Sequence, residues 1–347
     1  MRIARREFVP LYALLAAIYL FERIFMLEPL LVSSAWIALL GALALVLPVL
    51  LMLRPMLGAR DVMDAAVERA FGSIGARAWY ACALVLVLME IKLITLVFAA
   101  SVMSYTADMV HDRSVVIVTL IVAGLGAYMG ELALANCARI TLRLLILVMG
   151  ALALGTLRSA RLEHFFPLLG PGPEVLTAGL VPLAGVLLTP ALMLLRGNTQ
   201  DPGFRRGLPL GAVLGVLTAA ASLAIYTLSQ PTLPVTPVTI SFRTAILLNN
   251  GNSIIQLQLP LIVLWNASQL MLLASLISIC GILLRLIAPR IGRLGSPIAT
   301  AVVMAWCLAM PKEELTAQIV EWGAYPVLAL GMALAGIMYR VRCRRTQ

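Results

Sequence analysis

The chain has 347 residues, of which 62% are hydrophobic and only 12% charged, and its mean hydropathy is +1.00. A water-soluble domain covers its surface with far more charge than this, so the composition excludes a soluble globular protein and makes the bilayer the solvent. The net charge of +10 does not mark a nucleic-acid surface, because the arginines sit on alternate loops between apolar stretches instead of clustering on one polar face.

Ten mostly apolar stretches fill the chain, each long enough to be read as a membrane crossing of about 20 residues. They leave only short loops, which predicts one transmembrane domain over residues 1–347 and no separate soluble domain. Helix 1 runs from about Phe8 to Met26. Arg2, Arg5 and Arg6 precede it as in a signal sequence, but no small-residue cleavage site follows, so it is expected to be retained. Helix 2 spans about Ser33 to Leu53, after a turn at Glu28 and Pro29. In the polar stretch Gly58 to Arg77, Val62, Ala65, Ala66 and Phe71 recur near helical spacing among Arg60, Asp61, Asp64, Glu68 and Arg69. That pattern predicts a short amphipathic helix on the cytoplasmic face.

Helix 3 follows over about Ala78 to Met103, helix 4 over Ser114 to Tyr128, helix 5 over Ile140 to Thr156 and helix 6 over Leu176 to Leu195. Helix 7, about Leu208 to Leu228, opens with Gly207, Gly211 and Gly215, a stripe of small residues that lets another helix approach closely. The outer segment Gln230 to Asn252 carries Pro231, Pro234 and Pro237, which resist continuous helix, though Phe242 to Leu248 fits one short helix over the outer mouth. Helix 8 spans about Ile255 to Ile287, helix 9 Pro297 to Met310 and helix 10 Ala317 to Val341.

Most of the 26 Lys and Arg fall on one set of loops, from Arg2, Arg54, Arg60 and Arg77 through Arg139, Arg143, Arg205 and Arg293 to Arg345. The opposite set keeps Arg113, Arg158, Arg161, Arg243 and Lys312. By the positive-inside rule both termini are cytoplasmic, as an even number of crossings requires. The five cysteines have no CxxC spacing, and His111 and His164 have no partners at ligand spacing, so neither a disulfide framework, a metal site nor a cofactor is expected. No phosphate loop or Ser-His-Asp set occurs, and GPGPE at Gly170 to Glu174 is a turn before helix 6. The chain does not read as an enzyme.

Helix 6 is the most unusual span, with Pro182, Gly185 and Pro190 inside one apolar stretch. Each proline deletes a backbone hydrogen bond, and in hydrocarbon a real break is tolerated only where the backbone lines an enclosed cavity. A plain proline kink gives the same pattern. Helix 1 carries Glu22 and Arg23. In two inverted sets of five helices, about 1–160 and 161–347, helices 1 and 6 are counterparts, and paired interruptions there point to a midplane site; charges reaching the outer headgroups are the plainer alternative. Helix 3 carries Glu90 and Lys92 near its middle, where an unpaired ionisable group costs at least about 2.5 kcal/mol. Residues two apart point to different sides of a helix, so the two cannot simply cancel each other. The expected ligand site is Tyr19, Glu22, Pro182, Gly185, Thr189 and Asn266, beside an intramembrane charge pair in which Glu22 or Glu90 meets Lys92 or Arg23.

HFFPLLGPGPEVLTAGL from His164 resembles the outer loop leading into helix 6 of the spore germination permeases, the B subunits of nutrient germinant receptors. Weaker similarities follow in the same order at SSAWIALLGAL from Ser33, ERAFGSIGA from Glu68, AYMGELALANCARI from Ala127 and around Trp265. The resemblance covers most of the chain as a pattern of hydropathy, without one sharp motif. It implies the fold of the amino acid, polyamine and organocation transporters: ten helices in two inverted five-helix repeats, with broken helices 1 and 6 around a central pocket. It also implies a small nutrient as ligand, in kind an amino acid, A and C subunits as partners, and the spore inner membrane as location. This chain departs from the pattern at Phe21, Glu22 and Arg23, where family members tend to have a small residue. It departs again at Asn136, Gln256 and Gln258, where they tend to be charged. A self-sufficient cation-coupled amino acid transporter is the rival reading.

Overall fold

The computed structural model describes residues 5–26, 35–54, 63–106, 111–156, 163, 173–196, 204–229, 258–309 and 325–345. Among them no strand occurs, and the chain forms α1 (Arg5–Met26), α2 (Ala35–Leu53), α3 (Met63–Thr106), α4 (Asp112–Met129) and α5 (Glu131–Thr156). The second half forms α6 (Pro173–Leu188), a 3-10 segment Thr189–Arg196, α7 (Phe204–Ser229), α8 (Gln258–Ile287), a 3-10 segment Pro289–Leu294, α9 (Gly295–Ala309) and α10 (Tyr325–Arg345). By length and composition six stretches can cross a bilayer, within α2, α3, α5, α7, α8 and the Pro289–Ala309 run that ends in α9, while α4, α6 and α10 contain shorter apolar stretches. The protein is an integral membrane protein. The segment Gln230 to Asn252 lies outside the described residues.

Two glycines explain where the helices depart from expectation. Gly72 has φ +78° and divides α3 into a short arm and a long span. Val67 and Ala70 of that arm are buried while Glu68 and Arg69 are exposed, so it is the amphipathic element read from the sequence, fused to helix 3 across a kink. Gly130, at φ +96°, is the sole residue between α4 and α5, so α5 begins at Glu131 instead of near Ile140. A left-handed or mirror-image backbone turns the chain within one residue, and glycine adopts it without a Cβ penalty.

The expectation of a broken helix 1 is corrected: α1 is continuous over its 22 residues. Its one proline, Pro10, lies near the start, and from Leu11 to Met26 it has neither glycine nor proline to open the backbone. Glu22 does not need a broken helix either, since side chains of α8 meet its charge. Every residue from Leu11 through Phe21 is buried, so α1 is shielded from lipid on all sides.

α1 packs on α7 and α6, and α2 packs on α6 and α7, which makes one bundle. α3, α4, α8 and α9 pack on each other as a second group, α5 leans on α1 and α8, and α10 leans on α6 and α3. Adding five to each helix number of the first half turns its packing partners into those of the second. Burying apolar side chains against one another gains little in hydrocarbon, so close approach at small residues does much of the holding. Gly211 and Gly215 of α7 do this against α1: a Cβ on Gly211 would sit 2.9 Å from Tyr12 Cδ1, and one on Gly215 would sit 3.0 Å from the Ala13 carbonyl. Gly41 of α2 meets Leu180 of α6 in the corresponding place.

Candidate functional site

The irregular backbone expected in helix 6 falls at its second proline. Pro182 is accommodated within α6, and the α-helix gives way to 3-10 geometry at Thr189, one residue before Pro190. Pro190 has no N–H to offer the carbonyl four residues back, so an α-turn cannot close there. Side chains take over: Tyr12 of α1 donates its hydroxyl proton to the Leu187 carbonyl in the last turn of α6. The Thr189 hydroxyl lies 3.2 Å from the Gly185 carbonyl and 3.1 Å from Glu90 Oε1 of α3.

Around this junction four helices bring polar groups together. Tyr19 of α1 and Tyr325 of α10 share a hydroxyl contact of 3.1 Å, and the ring of Tyr325 lies directly against Gly185, leaving no space for a Cβ there. Both hydroxyls flank the Glu90 carboxylate, and Arg23 acts on it electrostatically from α1. Arg23 and Glu90 are each only 1% exposed. Among the described residues Glu90 Oε2 is sealed from solvent with no hydrogen-bond partner. Such an atom is costly, because a buried acceptor left unmet forfeits its hydration for nothing.

A second cluster lies along α1 beside α8. Glu22 Oε1 accepts hydrogen bonds from Trp265 Nε1 at 3.2 Å and from Gln269 Nε2, and Trp265 also packs edge-on against Phe21 at 4.7 Å between centroids. The Gln269 Oε1 atom is buried with no hydrogen bond among the described residues. Lys92 is also buried, and its Nζ lies 5.2 Å from the centre of the Trp306 ring on α9.

Of the residues expected to form the ligand site, Tyr19, Gly185 and Thr189 converge around Glu90, with Pro182 buried one turn before Gly185. Glu22 belongs to the neighbouring α1–α8 contact, and Asn266 is half-buried beside Trp265, outside the hydrogen bonds described for α8. Within the expected charge set, Arg23 faces Glu90 across α1 and α3, the contacts described for Glu22 run to α8, and the ring contact of Lys92 runs to α9. Tyr12, Gln269 and Tyr325 were not anticipated. Gln269, an amide deep in an apolar helix, was readable as a polar outlier; the two tyrosines carried no such signal.

No protein-family model matches the sequence, and no curated protein matches it. The fold has clear counterparts among solved structures. The closed structure of Mhp1, a nucleobase-cation-symport-1 family transporter with bromovinylhydantoin bound, superposes at a TM-score of 0.70 with 14% identity over 99% of this chain and 80% of that one. MhsT in complex with L-phenylalanine gives 0.69 at 13% identity over 98% and 89%. Mhp1 in its inward-facing conformation gives 0.63 at 14% over 97% and 76%. The chain therefore has the fold of these membrane transporters.

Proposed function

We propose that the protein binds a small polar nutrient, in kind an amino acid, at the membrane midplane between α1, α3, α6 and α10, and that occupancy shifts the α1–α6 bundle against the α3–α8 group. The observation that carries this reading is the convergence of Arg23, Glu90, Tyr19, Thr189 and Tyr325, all buried, at the break in α6. Charges at this depth are expensive, and they are concentrated where backbone and side chains meet a ligand in proteins built on inverted repeats. The ten helices cross the membrane as two inverted sets of five with both termini in the cytoplasm. The repetition of packing partners under a shift of five helices supports that arrangement, since five crossings invert the second set.

The sequence likeness to spore germination permeases supports reading the protein as a germinant receptor B subunit, which would sense the nutrient in the spore inner membrane and signal to A and C subunits. The fold shared with Mhp1 and MhsT favours a second reading, a self-sufficient cation-coupled amino acid transporter. Purified protein in proteoliposomes, tested with radiolabelled amino acids under proton and sodium gradients, separates them. Accumulation inside the vesicles supports the transporter. Binding without flux, together with co-purification of A and C subunits and a germination defect on deletion, supports the receptor. No binding of any amino acid overturns both.

A further inference from the structure

The buried polar groups at the α6 junction are not symmetric in what they leave unmet. Thr189 occupies one oxygen of Glu90, while the other, Oε2, is sealed from solvent and, with the Tyr19 and Tyr325 hydroxyls beside the carboxylate and engaged with each other, closes no hydrogen bond of its own among the described residues. A carboxylate oxygen only accepts, so the missing partner is a donor. A continuous α1 also removes one source of ligand contacts: with no break in that helix, its backbone amides stay in the helical ladder and cannot meet the charged ends of a ligand. Recognition from the α1 and α3 side has to come from side chains. The charged pair there is balanced, with Arg23 acting on Glu90 from the neighbouring helix. A ligand carrying net positive or negative charge would add an uncompensated charge in a medium of low polarity, whereas a zwitterion adds none.

From these observations we infer that Glu90 Oε2 is the anchor for the ammonium group of a zwitterionic ligand, whose carboxylate lies toward Arg23. This rests on the nutrient-binding reading above and specifies it. With the backbone of α1 held in its helical ladder, the Glu90 carboxylate is the group that recognises the amine. Tyr325, packed without clearance on Gly185 and bonded to Tyr19, leaves no room on that side, so the body of the ligand is a small one.

The test is a binding titration on the full chain in lipid nanodiscs, using glycine, L-alanine and L-serine, with ethylamine and propionate as the analogues of alanine that lack one charged end. On the wild-type protein at least one amino acid binds. Both analogues of alanine bind about tenfold to a hundredfold more weakly than alanine, which corresponds to the loss of a charge-assisted hydrogen bond. Glu90→Gln weakens amino-acid binding by a similar factor, and Glu90→Asp, which keeps the charge and moves it back by one methylene, loses less than Glu90→Gln does. If propionate binds as tightly as alanine, the ammonium anchor is overturned, and that measurement needs no variant. Glu90→Gln that folds and binds within twofold of wild type overturns the assignment to Glu90 while leaving the nutrient-binding reading intact. Ethylamine binding as tightly as alanine overturns the zwitterion requirement. Wild-type protein that is folded and binds no amino acid overturns the nutrient-binding reading and the anchor with it.

Discussion

Gly185→Ala is the sharpest structural test of the α6 junction. A Cβ at this position would collide with the Cβ, Cγ and Cδ1 atoms of Tyr325. Because one of those atoms is the root of the side chain, no rotamer of Tyr325 relieves the clash, and α6 and α10 must move apart. Overpacking of this kind costs about 3 kcal/mol at its upper end. Alanine returns about 1 kcal/mol through its better helix propensity. The net destabilisation is about 2 kcal/mol, or about a 30-fold shift toward the unfolded state. The assay is a double-mutant cycle with Tyr325→Ala, read by unfolding of the detergent-solubilised protein in increasing SDS. In the Tyr325→Ala background the collisions with Cγ and Cδ1 are gone while that with Cβ remains, so Gly185→Ala costs less there without becoming neutral, and the coupling between the two sites is the signature of the ring contact. Equal effects of Gly185→Ala in both backgrounds would show that the ring of Tyr325 is not on Gly185 and would undo this account of the junction.

Gln269→Leu removes one of the two donors to Glu22 and leaves a buried carboxylate under-satisfied, so it destabilises by about 1.5 to 3 kcal/mol, and Glu22→Gln in the same chain recovers part of the loss in the SDS assay. Gly72→Ala meets no neighbouring atom within 4 Å, so its cost of about 1 to 3 kcal/mol is purely that of a φ of +78°, and an equally large loss should follow from Gly72→Ser. Lys92→Met removes the cation over Trp306; that ring contact contributes about 0.5 to 2 kcal/mol, and the loss should be smaller by that amount in a Trp306→Leu background. In a chain freed of its native cysteines, cysteine at Arg60 or Arg205 should react with impermeant maleimide from the cytoplasmic side and cysteine at Lys312 from the outside; reversed labelling at any of them contradicts the crossing order.

How far the sequence reached depended on whether a signal was local. Apolar length located the helices, and Pro182, Gly185 and Pro190 together announced irregular backbone in helix 6 without saying which of them carries it, because both signals follow from what a few neighbouring residues do to the backbone. Helix 1 was misread for the same reason: Glu22 and Arg23 looked like a local interruption, yet Glu22 is met by Trp265 and Gln269, more than two hundred residues away. Pairing Glu22 or Glu90 with Lys92 from the sequence was a one-dimensional argument. Rotation about the helix axes decides which side chains meet, and it turns Lys92 toward Trp306 on α9. Tyr325 was invisible because a tyrosine at the start of an apolar helix is ordinary, and only the glycine across from it lets its ring pack into the α6 junction.

An α1 without a hinge has a mechanical consequence. At 1.5 Å per residue its 22 residues form a stiff lever about 33 Å long. It is fastened at two points about 15 Å apart along that axis, by Tyr12 to the Leu187 carbonyl on one side and by Glu22 to Trp265 and Gln269 on the other. Tyr19 lies between them, next to Glu90, where a fulcrum would be. A split helix lets its halves swing separately, so each face of the membrane can open by itself. A lever cannot: when the α1–α6 bundle shifts as proposed, the Tyr12 fastener travels with it, and both ends of α1 move together as the Glu22 fastener to α8 parts.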